Sequence, residues 1–162
     1  MRDTVDADAV IEHLYATHYR SLVRLSTLLV GDRETAEDVV QDAFIATHGR
    51  WGRLREPEKA LAYLRQAVVN RSRSVLRHRG VERRYAERLT TPPALAPDHE
   101  RRAVVLAALQ QLPERQREVL ALRYYYDLDE AAIAETLGIS RGTVKSHASR
   151  GAASLRTLLE NR

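Results

Sequence analysis

Residues Asp129 to Arg150, DEAAIAETLGISRGTVKSHASR, read as two short helices around a tight glycine turn. Leu128 stands one residue before an Asp129 N-cap and Ile133 is the fourth helical residue, so the two form a hydrophobic staple that fixes where the first helix starts. Gly138 can take the left-handed conformation that ends this helix. Ser140 follows as the next N-cap, with Ile139 and Val144 placed as a second staple. About four residues between two capped helices is the spacing of a helix-turn-helix.

The second of these helices has a definite sidedness. Val144, Ala148 and Leu155 fall on its inner face and leave Arg141, Gly142, Lys145, Ser146, Ser149 and Arg150 outward. From Ser140 to Arg156 there are four cationic side chains and no acid. A small, polar, basic face of this kind suits a helix lying in a major groove against phosphates and base edges. The solvated face of an ordinary helical hairpin would mix signs and would not need both turn signals.

A chain of 162 residues with 44% hydrophobic content can bury one or two small cores. Its net charge of +4 is modest but unevenly placed, which favours an anionic partner at particular surfaces. The absence of cysteine excludes disulfides, thiolate catalysis and cysteine zinc sites, and is compatible with the cytoplasm. The six histidines are scattered, with no HExxH motif or close pair. No ligand cluster, nucleophile with a base or phosphate loop is visible, so neither a cofactor nor a metal is expected, and the chain reads as a non-enzyme. No apolar run approaches the ~20 residues of a membrane span, so no membrane insertion is expected. The acidic start, Asp3, Asp6 and Asp8, lacks the cationic region of a secretion signal.

Apolar residues from Val10 to Leu29 recur at three- and four-residue spacing, predicting a first helix of about twenty residues that Gly31 ends. Asp32 caps a second helix with Ala36, Val39, Val40, Ala43 and Phe44 inward. The other side of that helix carries Glu37, Asp38, Gln41 and Asp42, a face that either is simply solvated or docks a basic partner. GRWGRLREPE, from Gly49 to Glu58, breaks the helical period and reads as an irregular loop. Trp51 within it either plugs the edge of a core or stacks on a base or partner.

The third helix resumes near Lys59 with Leu61, Leu64, Val68 and Val69 inward, and its outer face is the most cationic part of the chain. Lys59 to Arg84 holds eight basic residues against the single acid Glu82, a segment charge of +7. Tyr63 lies within a turn of Gln66 and Asn70. An aromatic ring and two amides beside cations fit unstacked single-stranded bases better than a duplex groove, because the ring can stack and the amides can read exposed base edges.

LTTPPALAPDH, Leu89 to His99, holds three of the five prolines and should be a flexible linker, extended or disordered. The expected organisation is therefore residues 1–84, a linker at 85–99, and residues 100–162. After the linker Val104, Val105, Ala108, Leu109 and Leu112 make a helix, and Pro113 starts the next. No alternating strand pattern appears, so the fold class is all-α, with two small helical domains.

Three motifs, in order, carry a resemblance to the bacterial RNA polymerase sigma factors of the extracytoplasmic-function type, with a SigE-like actinobacterial subgroup as one candidate within it. AEDVVQDAFIATHGRW resembles region 2.2, which implies that Asp38, Gln41 and Asp42 contact the coiled coil of the polymerase β′ subunit. ALAYLRQAVVNRSRSVLR resembles regions 2.3 and 2.4, which open the minus-10 element. The implied minus-10 residues are Trp51, Tyr63, Arg65, Gln66, Asn70, Arg71, Arg73 and Arg77, the loop at Gly49 to Glu58 being assigned by position. LPERQREVLALRYYYDLDEAAIAETLGISRGTVKSHASRGAASLR resembles region 4, whose helix-turn-helix reads the minus-35 element and whose outer surface meets the β flap. Here the implied residues are Arg141, Thr143, Lys145, Ser146, Ser149 and Arg150. Gly151 departs from the family pattern and should cost about 1 kcal/mol of helix stability relative to alanine. The partners implied are core RNA polymerase, promoter DNA in duplex and single-stranded form, and an anti-sigma factor as a further candidate.

The rival reading is a helix-turn-helix regulator of the response-regulator output type, since LPERQREVL and TVKSH resemble that family too. The N-terminal half, without alternating strands and helices, gives it no receiver domain.

Overall fold

A computed structural model describes residues 2–51, 57–86 and 97–161. All regular structure among the described residues is helical. The N-terminal half comprises α1 (Arg2–Val30), α2 (Arg33–Gly49), a single 3₁₀ turn at Pro57–Lys59 and α3 (Ala60–Ala86). The C-terminal half comprises α4 (Pro97–Gln111), α5 (Glu114–Leu120), a π-helical turn at Ala121–Tyr125, α6 (Glu130–Leu137) and α7 (Arg141–Glu160).

With 29 residues α1 exceeds the expected twenty, because the acidic residues at its start are compatible with a helix N-terminus and nothing in them breaks the period. It ends at Gly31, whose φ of +93° is open to glycine at no steric cost. Asp32 then caps α2, its carboxylate accepting from the Thr35 N–H at 2.8 Å. The apolar stripes of α1, α2 and α3 converge on Leu22, Leu25, Leu29, Val40, Leu64 and Val68, all buried. Burying a leucine or valine of this kind stabilises by about 1.5–3 kcal/mol. A polar pair also crosses this core: the hydroxyls of Ser26 and Ser72 lie 2.9 Å apart, each satisfying the other between α1 and α3.

The linker boundaries differ from expectation. Helix α3 continues to Ala86 and α4 already begins at Pro97, so both ends of the 85–99 segment are helical. Pro97 stands at the first position of α4, where a missing N–H is no loss. The remainder of the proposed linker, residues 87–96, lies outside the described residues.

In the C-terminal half, Arg117 binds the end of α4. It is 7% exposed. Its guanidinium donates to the carbonyls of Leu109 at 2.8 Å, Gln110 at 3.1 Å and Leu112 at 2.9 Å, at and just beyond the C-terminus of α4 where intrahelical donors run out, while Leu109 O also accepts the Leu112 N–H at 3.1 Å. The π-helical turn follows α5, with the Tyr126 N–H donating to Ala121 O at 3.1 Å. Asp127, at φ +54°, turns the chain back toward α6 in the left-handed region that Asp tolerates better than most residues.

The two halves do not have separate cores. Val119, Leu122, Ile133 and Val144 of the C-terminal half belong to the same buried cluster as Leu25, Leu64 and Val68 of the N-terminal half. A smaller cluster of Leu109, Leu112 and Leu120 reaches Leu28 of α1.

Candidate nucleic-acid interface

The helix-turn-helix takes the expected form in detail. Asp129 caps α6 by accepting from the Ala132 N–H at 2.8 Å, and Gly138 ends it at φ +66°. Ser140 caps α7 by accepting from the Thr143 N–H at 3.1 Å. Three residues, Gly138 to Ser140, separate the helices, one fewer than expected. Ile133 and Val144 are fully buried while Leu128 and Ile139 pack on them at the edge of the core, as the two staples require. Arg141, Lys145, Ser146, Ser149 and Arg150 are all exposed on one side of α7. Thr143 is half-buried and partly committed to the cap, its hydroxyl 2.8 Å from that of Ser140. Lys145 Nζ lies 3.8 Å from Glu130 on α6, loose enough to release.

Gly151, the departure noted in the sequence, has a packing reason. A Cβ there would lie 3.2 Å from Gln116 Cβ and 3.2 Å from Leu120 Cδ1, so glycine lets α7 approach α5 closely. A buried glycine facing another helix is the signal that could have found it, but only once the partner helix is known.

On α3, the residues assigned to one minus-10 surface divide between two faces. Tyr63, Asn70 and Arg71 line a cleft of about 260 Å³ against α2, together with Arg50, Ala67 and Ser74. Arg50 and Ser74 were missed by sequence reasoning. Arg50 closes α2 as its C-cap, and only the packing of α2 on α3 brings it beside Tyr63. Gln66 is exposed outside this lining. Trp51 packs half-buried on the core, the plugging role weighed above, and the loop residues 52–56 lie outside the described residues.

The other three arginines face the C-terminal half. Arg73 makes a two-pronged contact with Glu118 of α5, Nε to Oε2 at 2.9 Å and Nη2 to Oε1 at 2.8 Å. Those hydrogen bonds push the Arg73 guanidinium above its already high range, against the opposing effect of burial. Arg77 reaches Glu114 at 3.4 Å, and Arg65 lies 5.4 Å from the centre of the Tyr126 ring. The periodicity that placed all four arginines on α3 does not distinguish which of them meets α5.

Asp38, Gln41 and Asp42 are exposed together on α2. One turn on from Gln41 stands Ile45, 70% exposed and apolar at the edge of that acidic face. A separate apolar groove of about 540 Å³ runs between Leu28 of α1 and Val105, Tyr124, Leu155 and Leu159 of the C-terminal half. No helix of the described residues is long and apolar enough to cross a membrane.

Comparison with known proteins bears directly on these surfaces. Residues 14–82 match the sigma-70 region 2 family and residues 102–155 the sigma-70 region 4 family. The chain is 36% identical over 155 residues to the RNA polymerase sigma-E factor of Streptomyces avermitilis, covering 93% of this chain and 86% of that protein. It is 32% identical over 159 residues to the ECF RNA polymerase sigma factor SigM of Mycobacterium tuberculosis, covering 91% of this chain and 76% of that one. The chain belongs to the extracytoplasmic-function sigma factors of RNA polymerase. Such a sigma factor binds core polymerase and directs promoter-specific initiation. The match of its N-terminal half to region 2 removes the response-regulator reading. The fold of this sigma factor is shared with two solved structures, each 24% identical. One is the sigma factor RpoE in complex with the anti-sigma factor NepR from Bartonella quintana, with a TM-score of 0.75 over 92% of this chain and 96% of that one. The other is CnrH in complex with the cytosolic domain of CnrY, with a TM-score of 0.73 over 99% of both chains.

Proposed function

We propose a division of labour within this sigma factor in which residues 1–84 hold core polymerase and the minus-10 strand, residues 85–99 connect, and residues 100–162 read minus-35 duplex. The observation that carries the reading is the α2/α3 cleft: a tyrosine ring, an amide and Arg71 on a segment of charge +7, with Arg50 from the end of α2, offer stacking, edge recognition and phosphate neutralisation to an unstacked strand. Tyr63 and Asn70 take the bases, and Arg71 with Arg50 follows the backbone. On α7, Lys145, Ser146 and Ser149 approach base edges, while Arg141 and Arg150 set the helix on phosphates.

Asp38, Gln41 and Asp42 dock the polymerase β′ coiled coil, with Ile45 adding an apolar contact to their charge. The groove at Val105, Tyr124 and Leu159 suits an apolar segment of the β flap. An anti-sigma partner fits the likeness to the two solved complexes. The protein works by binding rather than by catalysis, without metal or cofactor, and it works in the cytoplasm, where polymerase is. Run-off transcription with core polymerase and promoter-bearing genomic fragments tests the whole reading. Specific transcripts that need this chain are expected, and their absence together with failure to co-purify with core polymerase would overturn it.

A further inference from the structure

Lys145 differs from the other outward cations of α7 in having an acid beside it. Arg141 and Arg150 meet no acid among the described residues, whereas Lys145 Nζ lies 3.8 Å from Oε2 of Glu130 on α6. The other carboxylate oxygen, Oε1, lies 3.9 Å from Nη1 of Arg123, which comes from the π-helical turn before α6. Glu130 is the first helical residue of α6, set there by the Asp129 cap, and a helix N-terminus favours its charge. Its side chain is 26% exposed against 69% for Lys145, so the carboxylate is the more confined member of the pair and the ammonium the freer one. We infer that Glu130 is a positioning residue for duplex recognition, its carboxylate keeping the Lys145 ammonium off the phosphates and so leaving it to a base edge. The inference rests on the proposed base-reading role of Lys145.

Lysine is a point charge on a flexible four-carbon stem, and beside a duplex the strongest attraction it meets is the phosphate backbone. A lysine captured there adds affinity for every sequence and distinguishes none. A carboxylate 3.8 Å from the ammonium repels an approaching phosphate by like charge, but it opposes a neutral guanine edge, with its O6 and N7 acceptors, far less. At that distance the pair is a charge contact rather than a hydrogen bond, so the ammonium keeps its donors for DNA. Arg123 attracts the carboxylate from the other side and opposes its following Lys145 into the groove. An exposed pair of this length contributes little to fold stability, which separates its effect on recognition from any effect on folding. The acid lowers the attraction of α7 for DNA in general, and selectivity rises because the wrong sequences lose more than the right one.

The test uses the full chain assembled with core polymerase. The probes are fluorescein-labelled promoter duplexes, identical except that one bears the minus-35 sequence the parent protein selects from a randomised library and the other a scrambled one. The variants are Glu130→Gln, Lys145→Ala and the two together, with Glu135→Gln, exposed on the same helix, as a control of equal charge. Glu130→Gln should tighten binding to the scrambled duplex, steepen its salt dependence by about 0.9, the slope for one duplex phosphate gained, and narrow the preference for the selected sequence by about five-fold. With Lys145→Ala already present, Glu130→Gln should narrow the preference no further. Equal tightening on both duplexes by Glu130→Gln and Glu135→Gln, with the preference unchanged, overturns the inference, and a preference still lost in Lys145→Ala then leaves the reading of Lys145 intact. If Lys145→Ala itself leaves the preference unchanged, the reading of Lys145 falls and the inference with it. A preference narrowed by Glu130→Gln as much without Lys145 as with it puts the effect elsewhere than on that ammonium and overturns the inference too.

Discussion

Single residues in the C-terminal half divide into those that hold the fold and those left free to read DNA. Arg117 belongs to the first group. Arg117→Ala would remove the guanidinium from four carbonyls at a buried site; Leu109 O keeps the Leu112 N–H and Leu29 O keeps Gln110 Nε2, but Gln110 O and Leu112 O lose their side-chain donor, with an expected cost of about 3–5 kcal/mol in urea unfolding. Arg117→Lys should recover little, because a single ammonium cannot span four acceptors. At Gly151 a larger side chain would have to displace Leu120 and Gln116, and Gly151→Leu should cost about 1–3 kcal/mol by overpacking. Lys145 and Arg150 belong to the second group. Lys145→Ala should cost about 1–3 kcal/mol on the preferred minus-35 duplex and flatten discrimination among base substitutions, whereas Arg150→Ala should weaken all sequences alike. Competition binding on a randomised duplex library distinguishes the two outcomes, and an unaltered preferred sequence in the Lys145 variant would refute the base-reading role.

At the level of elements, α2 is anchored at its start and exposed along its outer face. Burial alone would raise the Asp32 carboxyl, but hydrogen bonds from Arg79 and from the Thr35 N–H outweigh it and hold the group below its usual range. A carboxylate lowered in the folded state contributes stability above its unfolded value of about 3.9, and that stability is lost as pH falls through the folded value. Unfolding should therefore become easier below about pH 4, and Arg79→Ala should flatten that acid limb in denaturant titrations between pH 5 and 2. Reversing charge on the outer face with Asp38→Lys and Asp42→Lys should lower affinity for core polymerase at least ten-fold while fold stability moves by less than about 0.5 kcal/mol. Ile45→Ser should weaken the same complex by a smaller factor that salt does not change, because its contribution is apolar burial. Equal core binding by the charge-reversed protein would refute the docking face.

Across the whole molecule the continuous core makes the two halves one cooperative unit in the free chain. Trp51, the lone tryptophan, lies in the N-terminal half and packs on the shared core, while far-ultraviolet dichroism reports on all helices. Their urea transitions should coincide, and two separated transitions would show that the shared core contributes little. How much of this was legible beforehand follows from the range of each interaction. Caps, staples and glycine turns act within four or five residues, so the starts of α2, α6 and α7 and the sidedness of α7 could be read from Asp32, Asp129, Gly138 and Ser140. Helical periodicity likewise showed which residues of α3 turn inward, and the ordered motifs pointed to the family. Periodicity describes one helix, however, and says nothing about its neighbour. That Arg50 joins Tyr63 in a cleft, that Gly151 gives α5 room, and that Arg73 meets Glu118 across 45 residues of chain are set by packing between helices. Local chemistry in the sequence determined which surfaces this sigma factor has, and only the tertiary structure decided which of its arginines are open and which are already held.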